Sequence, residues 1–356
     1  MALALSLARR GLGNTWPNPA VGCVLVNAGR IVGRGWTQPG GRPHAERVAL
    51  AQAGDLARGA TAYVTLEPCA HHGKTTPCAE ALVTAGVSRV VSAQTDPDPR
   101  VSGRGHALLR AAGIAVEEGL LEAEARALQR GFLLRVTAGR PMLTLKLATS
   151  FDGRIATECG ESQWITGPAA RRLVHAQRAL HDAVLVGGGT ARADDPLLTV
   201  RGLGVTRQPV RVVASRGLDL PRGAMAASIA QAPLWLLHGA SATAAARRWW
   251  QDQGAQLIEV AESAAGLSAP AMMQALGEAG VTRVFCEGGG QLAAALLDAD
   301  LVDELIGFTA GLALGGAGRA AVAPMQARAL TAYPRFDLMS ENRIGDDLLH
   351  HWVRRR

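Results

Sequence analysis

The segment PHAERVALAQAG, residues 43–54, predicts a helix that begins after the glycine-rich turn Pro39-Gly40-Gly41 and ends at Gly54. A β-hairpin is expected before it, because the apolar segments 21–26 and 31–36 flank Asn27-Ala28-Gly29-Arg30. Strands and helices then alternate, with strands at 61–66, 87–93 and 114–119 and helices near 78–85 and 105–112. This alternation predicts a three-layer α/β sandwich.

The alternation pauses at Val136-Thr137-Ala138-Gly139-Arg140-Pro141, a stretch of small residues that ends in a proline. Because 356 residues exceed what one hydrophobic core usually serves, a boundary is expected there, between domains of residues 1–139 and 140–356. The second half is also predicted to be α/β. Its strands are expected at 142–148, 183–187, 210–215, 234–237, 256–260 and 283–290, its helices at 168–179, 243–253 and 269–279, and a closing hairpin at 336–352.

The composition is that of an ordinary globular protein, with nearly half of the residues apolar. The net charge of +7 comes from scattered residues without basic and aromatic clusters, so nucleic acid is not expected as a partner. Five cysteines, an odd number on a long chain, indicate reduced thiols or metal ligands in a cytoplasmic protein. The N-terminal segment MALALSLARRG has its arginines after its apolar residues and is too short for a bilayer, so it predicts an amphipathic helix and no membrane association.

Histidine, glutamate and cysteine residues of the first half have the spacing of a catalytic zinc site. His44 and Glu46 lie at the start of the predicted helix and Pro68-Cys69 follows a strand, which together form the H-x-E and P-C parts of a zinc-deaminase signature. One imidazole and two thiolates would bind the metal and leave its fourth position for water. Glu46, on the same helical turn as His44, would move protons without binding zinc.

The third ligand is expected to be Cys78. The signature normally ends in C-x2-C, whereas eight residues separate Cys69 from Cys78. His72 would satisfy a C-x2-H spacing, but Gly73 and Pro77 would let a longer loop leave the metal and return with Cys78. Taken singly, these residues could be a core histidine, buried thiols and a helix-terminal carboxylate, but their combination favours a metal site.

Glycine-rich turns in the second half suggest a nucleotide site. Val186-Gly187-Gly188-Gly189-Thr190 and Glu287-Gly288-Gly289-Gly290 each follow a predicted strand, where backbone N–H groups can bind anions. Ser162 and Trp164 follow another strand that ends in a polar turn and would add a hydroxyl and a stacking surface. The spacing does not match the G-x-G-x-x-G fingerprint of a Rossmann fold.

Nearly the whole chain resembles the bifunctional riboflavin-biosynthesis deaminase/reductase family. The resemblance rests on the long loop from Glu67-Pro68-Cys69 to Pro77-Cys78 and on the segment Pro17-Asn18-Pro19-Ala20-Val21-Gly22. It implies a cytidine-deaminase-like three-layer sandwich followed by a dihydrofolate-reductase-like α/β domain. For the first domain it implies that the zinc ligands are His44, Cys69 and Cys78. It also implies that Glu46 is the catalytic acid/base and that Asn18 and Lys74 contact the substrate.

For the second domain the resemblance implies NADPH as the cofactor. The residues implied to contact it are Ala148, Trp164, Thr190, Asp194, Ser215, Gly289 and Gly290. Those implied to contact the substrate are Ser162, Arg178, Leu198, Arg201 and Glu287. Arg178 and Arg201 suit a sugar phosphate because guanidinium groups present a fixed fork of donors, although Arg178 could instead form a surface ion pair. Lys146 and Asp194 are candidate proton donors.

The implied reactions act in sequence on a small phosphoribosyl-pyrimidine. Residues 1–139 would deaminate 2,5-diamino-6-(5-phosphoribosylamino)pyrimidin-4-one, and residues 140–356 would use NADPH to reduce the ribose of 5-amino-6-(5-phosphoribosylamino)uracil. A homo-oligomer is expected. One alternative is a nucleoside or tRNA deaminase, which would have C-x2-C and no reductase half. Another is a binding protein with a structural zinc, which would need a fourth protein ligand.

Overall fold

The computed structural model describes residues 1–72, 76–99, 101–263 and 266–355, which divide into two units, Met1–Gly139 and Arg140–Arg356. The first unit is built on one five-stranded sheet. Its strands are β1 (Gly22–Asn27), β2 (Arg30–Trp36), β3 (Thr61–Val64), β4 (Arg89–Ser92) and β5 (Ala115–Glu118). They lie in the order β2-β1-β3-β4-β5, with β1 antiparallel to both of its neighbours and β3, β4 and β5 parallel.

Helices cover both faces of this sheet. They are α1 (Ala2–Ala8), α2 (Ala45–Ala53), α3 (Cys78–Thr84), α4 (Arg104–Ala111) and α5 (Glu122–Ala138). Successive side chains of a strand point to opposite faces, so Val24 of β1 packs with Ala4 of α1, while Cys23 and Leu25 pack in the cluster that contains Ala49 of α2. The predicted three-layer sandwich and the predicted hairpin are confirmed, whereas α5 was not predicted from the sequence.

The strands of the second unit form a nine-stranded sheet and two small ribbons. They are β6 (Met142–Thr149), β7 (Arg154–Ala156), β8 (Ala183–Gly187), β9 (Val210–Ala214), β10 (Leu234–His238), β11 (Gln256–Glu259), β12 (Glu262–Ser263), β13 (Gly266–Leu267), β14 (Arg283–Gly288), β15 (Glu304–Thr309), β16 (Arg319–Ala320), β17 (Phe336–Ile344) and β18 (Asp347–Arg354). The large sheet has the order β11-β10-β9-β8-β14-β6-β15-β18-β17, and β12 pairs with β13 as β16 does with β7. It is parallel from β11 to β15, and the predicted closing hairpin, β17 and β18, adds two antiparallel strands.

Helices connect the parallel strands, as crossovers between parallel strands require. They are α6 (Pro168–Ala179), α7 (Gly188–Asp194), α8 (Ala224–Ala227), α9 (Ala244–Asp252), α10 (Ala269–Glu278) and α11 (Gly290–Asp298). Local sequence explains where several begin: the Thr243 and Ser268 hydroxyls cap α9 and α10 by accepting backbone N–H groups, and Pro168 occupies the first turn of α6.

The predicted helices and strands of the second half are confirmed within a few residues, but α7, α8, the short ribbon strands and β15 were missed. The strand β15 belongs to the large sheet. Its sequence, ELIGFT, contains Gly307, a residue that weakens a strand pattern. The structure explains this glycine, because a Cβ atom there would lie 1.9 Å from the His350 ring. Among the residues that the structure describes, no helix is both long and apolar enough to cross a membrane.

Candidate active sites

A histidine and two cysteines converge in the first unit. His44 directly precedes α2, Cys69 follows β3, and Cys78 is the first residue of α3. One ligand atom from each of these residues lies within 4.8 Å of the others. The His44 Nδ1 atom is 3.6 Å from the Cys69 Sγ atom and 3.4 Å from the Cys78 Sγ atom. The fold therefore brings together the three residues predicted as metal ligands.

These separations fit a tetrahedral zinc ion. Zinc bonds of about 2.0 Å to nitrogen and about 2.3 Å to sulfur, at tetrahedral angles, place the two ligand atoms about 3.5 Å apart. The Cys78 N–H also donates to the Cys69 Sγ atom, at 3.3 Å, which favours a thiolate there. A hydrogen bond from the Cys78 thiol outweighs the effect of burial and lowers the pKa of Cys69 to about 4. The donor set and its geometry thus suit zinc.

Glu46 is buried beside this cluster. It lies in the first turn of α2 and is only 3 % exposed. Burial, reinforced by the negative charge of Cys69, raises the pKa of this carboxyl group to about 7. The structure therefore places a proton-carrying group near the three ligands.

The remaining predicted residues of the first unit have different outcomes. The Asn18 side-chain amide donates to the carbonyl of Gly41 at 3.2 Å, so it lies against the turn that leads to His44. Lys74 lies outside the described residues. His72, the weighed alternative ligand, instead has its Nε2 atom 2.9 Å from the Glu80 carboxylate and is not part of the metal cluster.

Glu67 holds the ligand loop and was not recognised from the sequence as a site residue. Its buried carboxylate accepts hydrogen bonds from four backbone N–H groups, at distances of 2.8–3.3 Å, those of Asp96, Gly103, Gly105 and His106. Because it precedes Pro68-Cys69, it ties the loop that carries Cys69 to the start of α4. The available signal was an acidic residue directly after an apolar strand and two positions before a ligand.

The second unit contains a cavity of about 1700 Å³. It lies at the carboxyl ends of β6, β8, β9 and β14, the edge where parallel α/β sheets bind ligands. Twelve residues predicted from the resemblance lie along it: Ala148, Ser162, Trp164, Arg178, Thr190, Asp194, Leu198, Arg201, Ser215, Glu287, Gly289 and Gly290.

Three charged side chains meet inside this cavity. The Arg178 guanidinium makes two hydrogen bonds to the Glu287 carboxylate, the one from Nη2 at 2.9 Å, and each side chain is 11 % exposed. Burial opposes ionisation of Glu287, but the charges of Arg178 and Lys146 outweigh it and hold the pKa of this carboxyl group below its ordinary value. Burial lowers the pKa of the Lys146 ammonium group. Arg178 is thus in a buried ion pair, not the surface pair considered as an alternative.

The turn after β14 packs tightly against α7 at the edge of the cavity. Gly289 has a φ of +98°, and a Cβ atom there would lie 2.9 Å from the Thr190 Oγ1 atom. The Thr190 hydroxyl donates to the Gly288 carbonyl at 3.3 Å, which joins this turn to α7. Burial raises the pKa of Asp194, the last residue of α7.

Trp164 provides an exposed aromatic surface at the cavity. Its side chain is 67 % exposed, and the Arg171 guanidinium lies 4.5 Å from the centre of its ring. An exposed indole is available to stack on a planar ligand, and the arginine keeps positive charge beside it.

Each half of the chain matches a known protein family. Residues 1–94 match the cytidine and deoxycytidylate deaminase zinc-binding region, and residues 141–350 match the RibD C-terminal domain. The chain is 43% identical over 367 residues to the riboflavin biosynthesis protein RibD of Escherichia coli, with 99% of this chain and 98% of the relative covered. It is 39% identical over 360 residues to RibD of Mycobacterium tuberculosis, with 100% and 96% covered.

Solved structures agree along the full length. RibD of Acinetobacter baumannii has a TM-score of 0.89 at 38% identity, with 100% of this chain and 98% of that chain covered. A diaminohydroxyphosphoribosylaminopyrimidine deaminase/5-amino-6-(5-phosphoribosylamino)uracil reductase of Thermotoga maritima has a TM-score of 0.86 at 34% identity, with 99% and 97% covered. The expected fold, a cytidine-deaminase-like domain followed by a reductase domain, is therefore confirmed. The chain belongs to the RibD family of bifunctional riboflavin-biosynthesis deaminase/reductases.

Proposed function

We propose that this chain performs both reactions that the names of its relatives describe. Residues 1–139 would convert 2,5-diamino-6-(5-phosphoribosylamino)pyrimidin-4-one into 5-amino-6-(5-phosphoribosylamino)uracil with release of ammonia. Residues 140–356 would reduce the ribose of that product to a ribityl chain with NADPH. The observation that carries the proposal is the cluster of three metal-ligand atoms beside a buried glutamate, in a chain that also has a reductase cavity.

In the deaminase half, His44, Cys69 and Cys78 would hold zinc and leave one coordination position open. Zinc held by three such ligands lowers the pKa of a bound water molecule. Glu46 takes a proton from the attacking water and gives it to the amino group, which leaves as ammonia while the ring carbon gains a carbonyl oxygen. Asn18, beside the turn that leads to His44, would orient the pyrimidine, and Lys74 would contact the substrate.

In the reductase half, the cavity would hold both NADPH and the phosphoribosyl-pyrimidine. NADPH supplies the hydride, and the protein supplies orientation and charge. The glycine-rich turn after β14, α7, and the Trp164 and Ser215 side chains all line this cavity and would hold the cofactor. Ser162 and Arg201 would bind the phosphoribosyl-pyrimidine, and the buried Leu198 would contribute to the wall of the same part of the cavity.

Arg201 is the better of the two arginines for the sugar phosphate. The donors of Arg178 are already directed at Glu287 and at the Thr199 carbonyl, so Arg178 holds Glu287 in the cavity. Lys146 and Asp194 remain the candidate proton donors, because both line the cavity and burial lowers the pKa of Lys146 and raises the pKa of Asp194.

A two-substrate assay tests the proposal. With the diamino substrate and NADPH, the zinc-loaded protein should release ammonia and then oxidise NADPH; with the deaminated uracil compound it should oxidise NADPH without ammonia. After removal of zinc, ammonia release should stop, while oxidation of NADPH with the uracil compound should continue. Absence of ammonia release from zinc-replete protein would remove the deaminase assignment, and absence of NADPH oxidation with the uracil compound would remove the reductase assignment.

A further inference from the structure

The turn after α7 contains two backbone positions that L-residues rarely adopt. Asp195 has a φ of +38° and Leu198 a φ of +53°, with Pro196-Leu197 between them. Aspartate tolerates the left-handed region, whereas a leucine there is unfavourable unless other contacts hold it. The conformation of this turn therefore depends on anchors at both of its ends.

The first anchor is the Asp195 carboxylate. Its two oxygens accept the backbone N–H groups of Ala224, at 2.5 Å, and Met225, at 3.1 Å, which begin α8. The approach at Gly223 is close, since a Cβ atom there would lie 2.2 Å from the Asp195 Oδ2 atom. Both carboxylate oxygens are thus engaged with the protein.

The start of α8, which donates hydrogen bonds to Asp195, is itself bound to a buried side chain. The fully buried guanidinium of Arg211 donates from Nη1 to the Met225 carbonyl, at 3.2 Å, and from Nη2 to the Ala232 carbonyl, at 2.7 Å. The contact between Asp195 and α8 therefore joins the rim of the reductase cavity to a segment that is hydrogen-bonded to the buried Arg211.

The second anchor follows the turn. Leu198 is 3 % exposed and packs in the core cluster with Val186 and Val213. The Gln208 side-chain amide then accepts the N–H of Val200, at 2.7 Å, and donates to its carbonyl, at 3.1 Å. The turn is therefore anchored on both of its sides.

Residues that follow this turn contact one arginine of the cavity and include another. The Thr199 carbonyl accepts a hydrogen bond from the Arg178 Nη1 atom at 2.8 Å. The Arg201 N–H donates to the His175 Nδ1 atom at 3.2 Å, which places Arg201 against α6. Both arginines line the cavity, so their placement depends on a segment that starts at Asp195.

We propose that Asp195 is a positioning residue of the reductase half, which fixes the turn whose Thr199 carbonyl holds Arg178 against Glu287 and whose backbone places Arg201 for the anionic phosphoribosyl part of the substrate. This inference rests on the proposed reductase function. The end of α7, which would hold the cofactor, is fixed by a backbone contact and not by the Asp195 side chain, since the Asp195 N–H donates to the Ala191 carbonyl at 3.0 Å. The carboxylate therefore acts on substrate affinity.

The test is steady-state reduction of 5-amino-6-(5-phosphoribosylamino)uracil by the full-length Asp195→Ala protein, with NADPH affinity measured separately by equilibrium binding. The KM for the uracil compound should rise about tenfold, with kcat changed less than about threefold and NADPH affinity nearly unchanged. Asp195→Asn keeps one acceptor oxygen and should give a smaller rise in KM. Gly223→Ala forces the same contact apart without altering Asp195 and should reproduce the rise.

Asp300→Asn is the matched control. Asp300 also has a positive φ, +53°, and its carboxylate accepts from the Arg354 Nε atom, but it is not part of the cavity lining. Its substitution should leave the KM unchanged. An unchanged KM in both Asp195→Ala and Gly223→Ala, or an equal loss of NADPH affinity, would overturn the positioning role. Failure of the unmodified protein to reduce the uracil compound would instead overturn the proposed function.

Discussion

The functional groups of the metal cluster lie close together, whereas those of the reductase cavity are spread over a large surface. The cluster places three ligand atoms within 4.8 Å of one another, and all three residues come from a short part of the first unit. The cavity has a volume of about 1700 Å³, and its lining extends from Lys146 to Pro324. A cluster with three ligands has no spare group, whereas a large cavity distributes binding over many contacts.

This difference predicts how each site responds to substitution. Removing one group from the compact site should abolish a reaction, because each side chain there has a separate role. Removing one contact from the cavity should give a graded loss. The two activities of one chain can be measured separately, so each serves as an internal reference for the other.

The largest effect is expected for Glu46→Gln. The amide keeps the size of the side chain but cannot accept and return a proton, so ammonia release should fall by about 10³-fold. Zinc content should be unchanged, because Glu46 is not among the three clustered ligand residues. Reduction of supplied 5-amino-6-(5-phosphoribosylamino)uracil should also be unchanged. The measurements are metal analysis, ammonia release and NADPH oxidation on the same preparation.

Glu122→Gln is the control for this variant. Glu122 is an exposed residue of the same unit, and its carboxylate pairs with Arg126 at 2.8 Å. Its substitution should affect neither activity, since exposed ion pairs contribute little to stability. Deamination that persists in Glu46→Gln would remove the glutamate from the mechanism, and loss of zinc would mean that Glu46 supports the metal.

A smaller effect on activity is expected for Glu287→Gln. The amide would leave the buried cations of Arg178 and Lys146 without their carboxylate, so kcat/KM of the reductase should fall by about 10²-fold. Loss of one partner of a buried pair should also lower the free energy of unfolding of the second unit by about 3 kcal/mol. Chemical denaturation and reductase kinetics check both values, and ammonia release should not change.

Glu259→Gln is the control for Glu287→Gln, because it removes the same charge from an exposed ion pair. Glu259 lies 3.5 Å from Arg247 in an exposed pair of the same unit. Its substitution should change the free energy of unfolding by less than about 1 kcal/mol and leave reduction intact. Equal losses of stability in the two variants would show that burial of the Arg178–Glu287 pair has no special importance.

The two sites also differ in how far the sequence predicts them. The spacing of His44, Cys69 and Cys78 predicts the cluster, because two helix starts and the segment after a strand bring these nearby residues together. By contrast, Arg178 and Glu287 are 109 positions apart, and their pairing depends on the packing of α6 against β14, which no local pattern encodes. Helix α5 was missed although it belongs to the first unit. The roles of individual cavity residues were available only through family resemblance.

The smallest effect is expected for Gly289→Ala. The methyl group would meet the Thr190 Oγ1 atom at 2.9 Å, and alanine is strained at a φ of +98°, at a cost of about 1–3 kcal/mol. If the turn after β14 binds the cofactor, NADPH affinity should fall by about tenfold, with ammonia release unchanged. Gly311→Ala is the control, because a Cβ atom there meets nothing within 4 Å and its φ is not positive. An unchanged NADPH affinity in Gly289→Ala would mean that the cofactor contacts other parts of the cavity, and binding would then be spread even more widely than the lining indicates.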